Sequence, residues 1–143
     1  MTDIDWTERF KGTAALPPAI RNRLNATGRI IHIKKGDQVF GPMNIPDSLF
    51  FLYDGRIRVS QSSDNGREIV LYRVDAGESC VLTTACMLAE EAYNAEGIAE
   101  TDVTAVVLPK PAFDRLAAEE DAFRNFVFAA YSRRLIDLLR VVD

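Results

Sequence analysis

Apolar positions recur along this chain with three rhythms, and each predicts a different kind of element. From Asp3 to Leu24 the rhythm is helical: WTERF, a break at Gly12, then AIRNRL opened by Pro17-Pro18, where a proline's missing N–H does no harm. Gly28 ends that run. From Arg29 to Leu108 short runs of Ile, Val, Phe and Tyr take over. They are cut by Gly36 (KKGD), Gly55 (YDGR), Gly66 (DNGR) and Gly77 (DAGE), the last three eleven residues apart. Turn signals at intervals of about 8–12 residues predict a β-sandwich, jelly roll or barrel. Ile57-Arg58-Val59 alternates between an inner and an outer face. Asn65-Gly66, between IRVSQ and REIVLYRV, predicts a type I′ hairpin, a turn that needs φ > 0 at both positions. Pro46 falls between runs, where no ladder bond is lost.

After Leu108 the helical period returns. PAFDRLAA reads as a short helix and Glu119 to Val142 as a longer one. On the longer helix Phe123, Phe126, Val127 and Ala130 form a stripe suited to packing on the β core. Phe128, Tyr131, Leu135, Leu138 and Val142 follow a 3-4-3-4 spacing, the narrow seam of a coiled coil. That seam predicts a dimer; one helix capping a monomer is the alternative. The pattern reaches Asp143 without Gly, Pro or cap, as a helix cut at a boundary would.

Composition acts mainly by exclusion. With 143 residues, 48% hydrophobic and 27% charged, the chain suits one globular domain with a core. Its start, MTDIDWTERF, is polar and acidic, unlike a signal peptide. No apolar run approaches the ~20 residues of a membrane span, so the expected location is the cytoplasm, where thiols stay reduced. A net charge of −4 makes the chain a poor ligand for nucleic acid. Two cysteines cannot hold an iron–sulfur cluster, which takes four thiolates as a rule. One histidine, His32, cannot build a multi-histidine metal centre, which excludes a jelly-roll enzyme of the cupin sort. No metal site is expected. His32 alternates with Ile31 and Ile33, and reads as a solvated strand residue rather than a haem ligand.

The candidate chemistry gathers in GESCVLTTACML, Gly77 to Leu88, which holds both cysteines, Cys80 and Cys86. On one helix, six residues put them about 240° apart, on different faces. An extended or turned segment could bring them within disulfide reach. Two readings stand: a redox switch, or two small buried hydrophobes. The surroundings favour the second. Between Val74 and Pro109 there are seven acids (Asp75, Glu78, Glu90, Glu91, Glu96, Glu100, Asp102) and no Lys or Arg, whereas a reactive thiolate needs a nearby cation or helix N-terminus. Glu90-Glu91 reads as a solvated loop tip. Tyr93, Asn94, Thr83 and Thr84 supply hydroxyls and an amide to a pocket rim, suited to a small neutral ligand or to capping the turn.

IHIKKGDQVFGPMNIPDSLFFLYDGRIRVSQSSDNGREIVLYRVDAGE, VTAVVLPKPAFDRL and FAAYSRRLIDLL together resemble the sensor half of a bacterial Crp/Fnr-type transcription regulator, over nearly the whole chain. The resemblance implies a mainly β fold, a cyclic-nucleotide-binding-like jelly roll (double-stranded β-helix) with N-terminal helices. It places the sensor domain in residues 1–118 and the start of a dimerisation helix in 119–143, with a helix-turn-helix domain beyond. It implies a homodimer, DNA reached only through that further domain, possible contact with RNA polymerase, a small-molecule effector and no catalysis. In nucleotide-binding members the acid of a Gly-Glu-Leu-like segment contacts the ribose. About twelve residues later, the Arg of an Arg-Ser/Thr-Ala pairs with the cyclic phosphate. By register these positions are Leu82-Thr83-Thr84 and Tyr93-Asn94-Ala95 here, so the arginine is missing.

A phosphate wants a bidentate Arg or a nest of backbone N–H groups, and a base-free acidic window opposes it. The expectation is therefore a degenerate cassette, with Gly77, Glu78, Thr83, Thr84, Tyr93 and Asn94 as ligand-contacting positions. Its effector is of unknown identity and not a cyclic nucleotide, unless Arg56 or Arg58 reaches in. The alternatives are a thiol-based redox sensor through Cys80 and Cys86, and a stand-alone cyclic-nucleotide-binding regulatory module.

Overall fold

The structure, a computed structural model, describes residues 5–140. A 3₁₀ turn (Trp6–Arg9), α1 (Lys11–Ala14) and α2 (Pro18–Thr27) lead into the strands. These are β1 (Arg29–Ile33), β2 (Gln38–Phe40), β3 (Ser48–Asp54), β4 (Arg56–Ser62), β5 (Glu68–Asp75), β6 (Glu96–Ala99) and β7 (Val103–Pro109). Helix α3 (Val81–Ala89) interrupts them between β5 and β6, and α4 (Lys110–Glu119) and α5 (Asp121–Leu139) close the chain. The strands form two antiparallel sheets, β1-β7-β3 and β2-β6-β4-β5. This is the jelly-roll architecture the sequence resemblance implied.

Strand β3, SLFFLYD, is apolar without alternation because its sheet is covered on both faces. Leu49 and Phe51 join Val106 and Leu108 in a core shared with the helices. Phe50 and Leu52 join Val103 and Ala105 in a second core inside the roll. On α5, Phe123 and Val127 are buried in the first core and Phe126 packs against it. Ala130 is half-buried. The stripe read from the sequence is the stripe that packs. On the far side, Phe128 is 52% exposed and Leu135 38%. Tyr131 and Leu138 are half-buried, and Val142 lies outside the described residues.

Three local expectations change. The four turn glycines all have positive φ, but at the Asn65-Gly66 hairpin only Gly66 does. The bonds Gly66 N to Ser63 O (2.9 Å) and Ser63 N to Arg67 O (2.8 Å) describe a type I turn closed by a left-handed glycine, not a type I′ turn. The longer loop needs one left-handed residue where the two-residue loop needs two.

Gly12 does not break a helix; it lies inside α1. A Cβ there would sit 2.0 Å from the Phe126 ring, so the glycine serves close approach to α5. And the GESCVLTTACML stretch, inside the β zone, is helical over Val81–Ala89.

Candidate functional site

The segment from Gly77 to Ala95 is fastened to the roll at its start. Gly77, at φ +93°, lies in the turn after β5. Its N–H donates to Leu52 O, and Leu52 N returns a bond to Glu78 O, both at 2.8 Å. Ser79 bridges Phe51. The Glu78 carboxylate accepts from Asp75 N at 2.8 Å and faces Arg134 of α5 at 3.6 Å. Glu78 is thereby a link between the segment and α5.

Cys80 caps α3 by position but not by side chain. The first turn of a helix leaves N–H groups without partners. Tyr72 of β5 supplies one: its hydroxyl accepts from Leu82 N at 3.0 Å and lies 3.2 Å from Cys80 Sγ. Arg134 also stacks over the Tyr72 ring, 5.9 Å from its centroid, and donates to Arg73 O at 2.8 Å. Burial first, then the Cys80 thiol, pushes the Tyr72 hydroxyl well above its usual pKa, so it stays protonated. Sequence reasoning missed Tyr72 and Arg134. They lie outside the base-free window, and only folding brings them to it.

The rim expected at Thr83, Thr84, Tyr93 and Asn94 is largely interior instead. Thr83, Thr84 and Tyr93 are buried, and the hydroxyls of Thr83 and Tyr93 share a hydrogen bond of 2.8 Å. Tyr93 stacks on Phe40, with ring centroids 4.0 Å apart and planes 15° from parallel. Gly97 makes room for this pair, since a Cβ there would fall 2.5 Å from the Phe40 ring. Burial raises the Tyr93 pKa, and the Thr83 bond offsets part of that rise. The Thr84 hydroxyl donates to Cys80 O at 3.0 Å. Asn94 is exposed and does not join them; its backbone carbonyl accepts from Gln61.

Both cysteines are free and buried in the inner core. Cys86 Sγ donates weakly to Ala92 O at 3.8 Å. Burial pushes its thiol above the usual value, with the Glu91 carboxylate adding to the shift. Glu90 turns the chain at φ +57° and is exposed, as a loop tip should be. His32 is exposed, 3.2 Å from the Thr104 hydroxyl.

The base-free window is answered by arginines from other strands. Arg58 and Arg73 hold Glu100 at 3.2 and 2.9 Å, and Arg56 holds Asp75 at 2.6 Å. The bond from Arg73 is the main cause of the lowered Glu100 pKa. Arg58 alternates with the buried Ile57 and Val59, so these pairs lie on the outer face of the sheet. Arg56 and Arg58 are thus committed to carboxylates away from Tyr93.

The sequence profile of the cyclic nucleotide-binding domain matches residues 30–120. No curated protein sequence matches the chain. Among solved structures, the catabolite activator protein of Thermus thermophilus aligns with a TM-score of 0.75 and 18% identity, over 88% of this chain and 58% of that one. A Crp/Fnr-family transcriptional regulator from Eubacterium rectale aligns at 0.78 and 22%, over 94% and 62%. The sensor domain of the transcriptional regulator DNR from Pseudomonas aeruginosa aligns at 0.74 and 17%, over 96% and 91%. The chain thus spans about three fifths of each of the first two, and at these identities the likeness is one of fold.

Proposed function

The chain belongs to the cyclic nucleotide-binding domain family, and from that membership we propose that it is the effector-sensing and dimerisation module of a bacterial Crp/Fnr-type transcription regulator whose signal is not a cyclic nucleotide. One observation carries the second half of this reading. Tyr93, at the register position of the phosphate-pairing arginine, is buried against Phe40, with the Thr83 hydroxyl as its polar partner. A cyclic phosphate placed there would lose its water and meet an aromatic stack in place of a guanidinium.

In this reading residues 1–118 sense and 119–143 begin the helix that pairs two copies through Phe128, Tyr131, Leu135, Leu138 and Val142. DNA is read by a helix-turn-helix domain further along the regulator, and RNA polymerase is a candidate partner of the whole. The module works in the cytoplasm by binding, without catalysis. An effector that favours one seating of the roll on α5 shifts the population of DNA-binding geometries. The Glu78–Arg134–Tyr72 contacts support α5 as the element that moves, because they tie it to the cassette.

Redox sensing through Cys80 and Cys86 has less support. Cys80 is 0% exposed, and Cys86 is held protonated where a reactive thiolate is wanted.

Calorimetric titration with cyclic AMP and cyclic GMP tests the signal. No saturable binding up to millimolar nucleotide is expected, and a micromolar site would overturn that half of the reading. Sedimentation tests the pairing. The chain is expected to run as a dimer and Leu135→Glu as a monomer; a parent chain that stays monomeric would sink the dimer.

A further inference from the structure

Between α5, the Phe10–Gly12 segment and the Gly77–Ser79 turn lies a groove of about 620 Å³ that nothing above has used. That volume falls within the range of small-molecule sites, ~300–1,000 Å³. Its floor is aromatic: Phe51 lies 5.4 Å from Phe10 and 6.5 Å from Phe126, centroid to centroid, the second pair stacked at 18°. Gly12, packed against the Phe126 ring, and the small side chains of Ala129 and Ala130 line its walls.

Its rim is cationic. Lys11, Arg133 and Arg134 line it together with the acids Glu78 and Asp137. Arg134 is matched to Glu78 at 3.6 Å, and Asp137 to Arg140 at 3.8 Å. Lys11 and Arg133 are exposed and, among the described residues, pair with no carboxylate. In a chain of net charge −4, that is a local surplus of positive charge over apolar rings.

A partner helix would not cover it. Phe126, Ala130, Arg133 and Asp137 lie about 150° round α5 from the Phe128–Leu138 seam, at about 100° per residue. A second copy docked on the seam leaves the groove open.

We propose that this groove binds a small aromatic carboxylate, its ring against the half-buried Phe126 and Ala130 and its acid group towards Lys11 and Arg133. The charge complementarity selects the anion, and the half-buried Phe126 ring favours a planar apolar body. Such a ligand bridges three elements: the N-terminal segment, the turn that opens the cassette, and the helix that carries the seam. A ligand that favours one arrangement of these three moves α5 relative to the roll. This names the chemical class and place of the effector, and it rests on the sensor reading above.

Calorimetric titration of 2-naphthoate into the chain tests it, with the neutral 2-naphthalenemethanol as control. One saturable site is expected, roughly tenfold weaker for the neutral compound and roughly tenfold weaker in Arg133→Glu. Ala129→Trp, at an exposed position, fills the groove and should abolish binding while thermal unfolding stays as in the parent. Absence of saturable binding overturns the proposal. So does equal affinity for acid and alcohol, or parent-like binding by both variants. Sedimentation of the same samples separates the two ideas: a dimer that ignores naphthoate refutes the groove alone, whereas a monomer that binds it refutes the dimerisation part of the reading above and keeps the groove.

Discussion

The two cores of this molecule share a sheet and little else. The outer core, between the β1-β7-β3 sheet and the helices, is built from Trp6, Phe10, Leu24, Phe51, Phe113, Leu116 and Phe123, large and mainly apolar side chains whose one buried polar atom, Trp6 Nε1, has no partner among the described residues. The inner core carries Cys80, Cys86, Tyr93 and three alanines, with the Tyr72 hydroxyl and the buried Thr83 hydroxyl at its edge. A dry core owes its stability to area removed from water and to close packing. A core with buried hydroxyls owes part of its stability to polar groups finding one another, and loses more when only one of a pair is removed. The first kind makes a platform. The second is organised by internal bonds around Tyr72 and Tyr93.

The largest effect that separates them is loss of bulk. Phe123→Ala removes a fully buried ring packed 5.8 Å from Phe113. It should cost about 3–5 kcal/mol in urea unfolding. A cost near that of an ordinary surface change would show that α5 does not belong to the outer core.

A smaller effect distinguishes the inner core by its sign pattern. Thr83→Val leaves the Tyr93 hydroxyl buried without its partner and should cost about 1–3 kcal/mol. Adding Tyr93→Phe should recover much of that loss, because both polar groups are then gone. If the double variant simply sums the two single losses, the hydroxyl pair is not the organising contact. Tyr72→Phe strips the cap from Leu82 N and should cost about 1 kcal/mol, read as faster amide exchange in the first turn of α3.

The smallest effect is in pH. Burial raises the pKa of Cys86 from its ordinary 9.0, so the folded state holds its proton after the unfolded chain has lost it. Stability from this group is complete below pH 9.0 and falls as pH rises above it. Tyr72 and Tyr93 extend the decline above their ordinary 10.0. Stability measured from pH 8 to 11 should therefore slope downward, and less steeply in Cys86→Ser. An unchanged slope in that variant would remove Cys86 from the account.

Much of the fold was legible because it rests on local pattern. Period-two runs and turn glycines gave the strands, and the Phe123–Ala130 stripe gave the packed face of α5. The hairpin at Asn65-Gly66 was legible as a turn but not as a turn type, since loop length, not the dipeptide, decides how many left-handed residues are needed. Gly12 looked like a breaker because a sequence does not show which ring approaches it. The candidate site was half legible. That the window around Tyr93 holds no Lys or Arg can be read in one dimension, but the Phe40 stack, the Thr83 bond and the Arg134–Tyr72–Glu78 contacts cannot.

By itself, then, the sequence determined most of the elements, their order, the family pattern and a stretch from Val74 to Pro109 without Lys or Arg. Each depends on residues near one another in the chain. Only the tertiary structure decided what surrounds Tyr93, which arginines answer the base-free acidic window, and where, among the described residues, cations without a carboxylate partner line a groove beside Phe126. Those are meetings of residues tens of positions apart, and their partners are fixed by how two sheets and α5 close on one another, not by spacing along the chain.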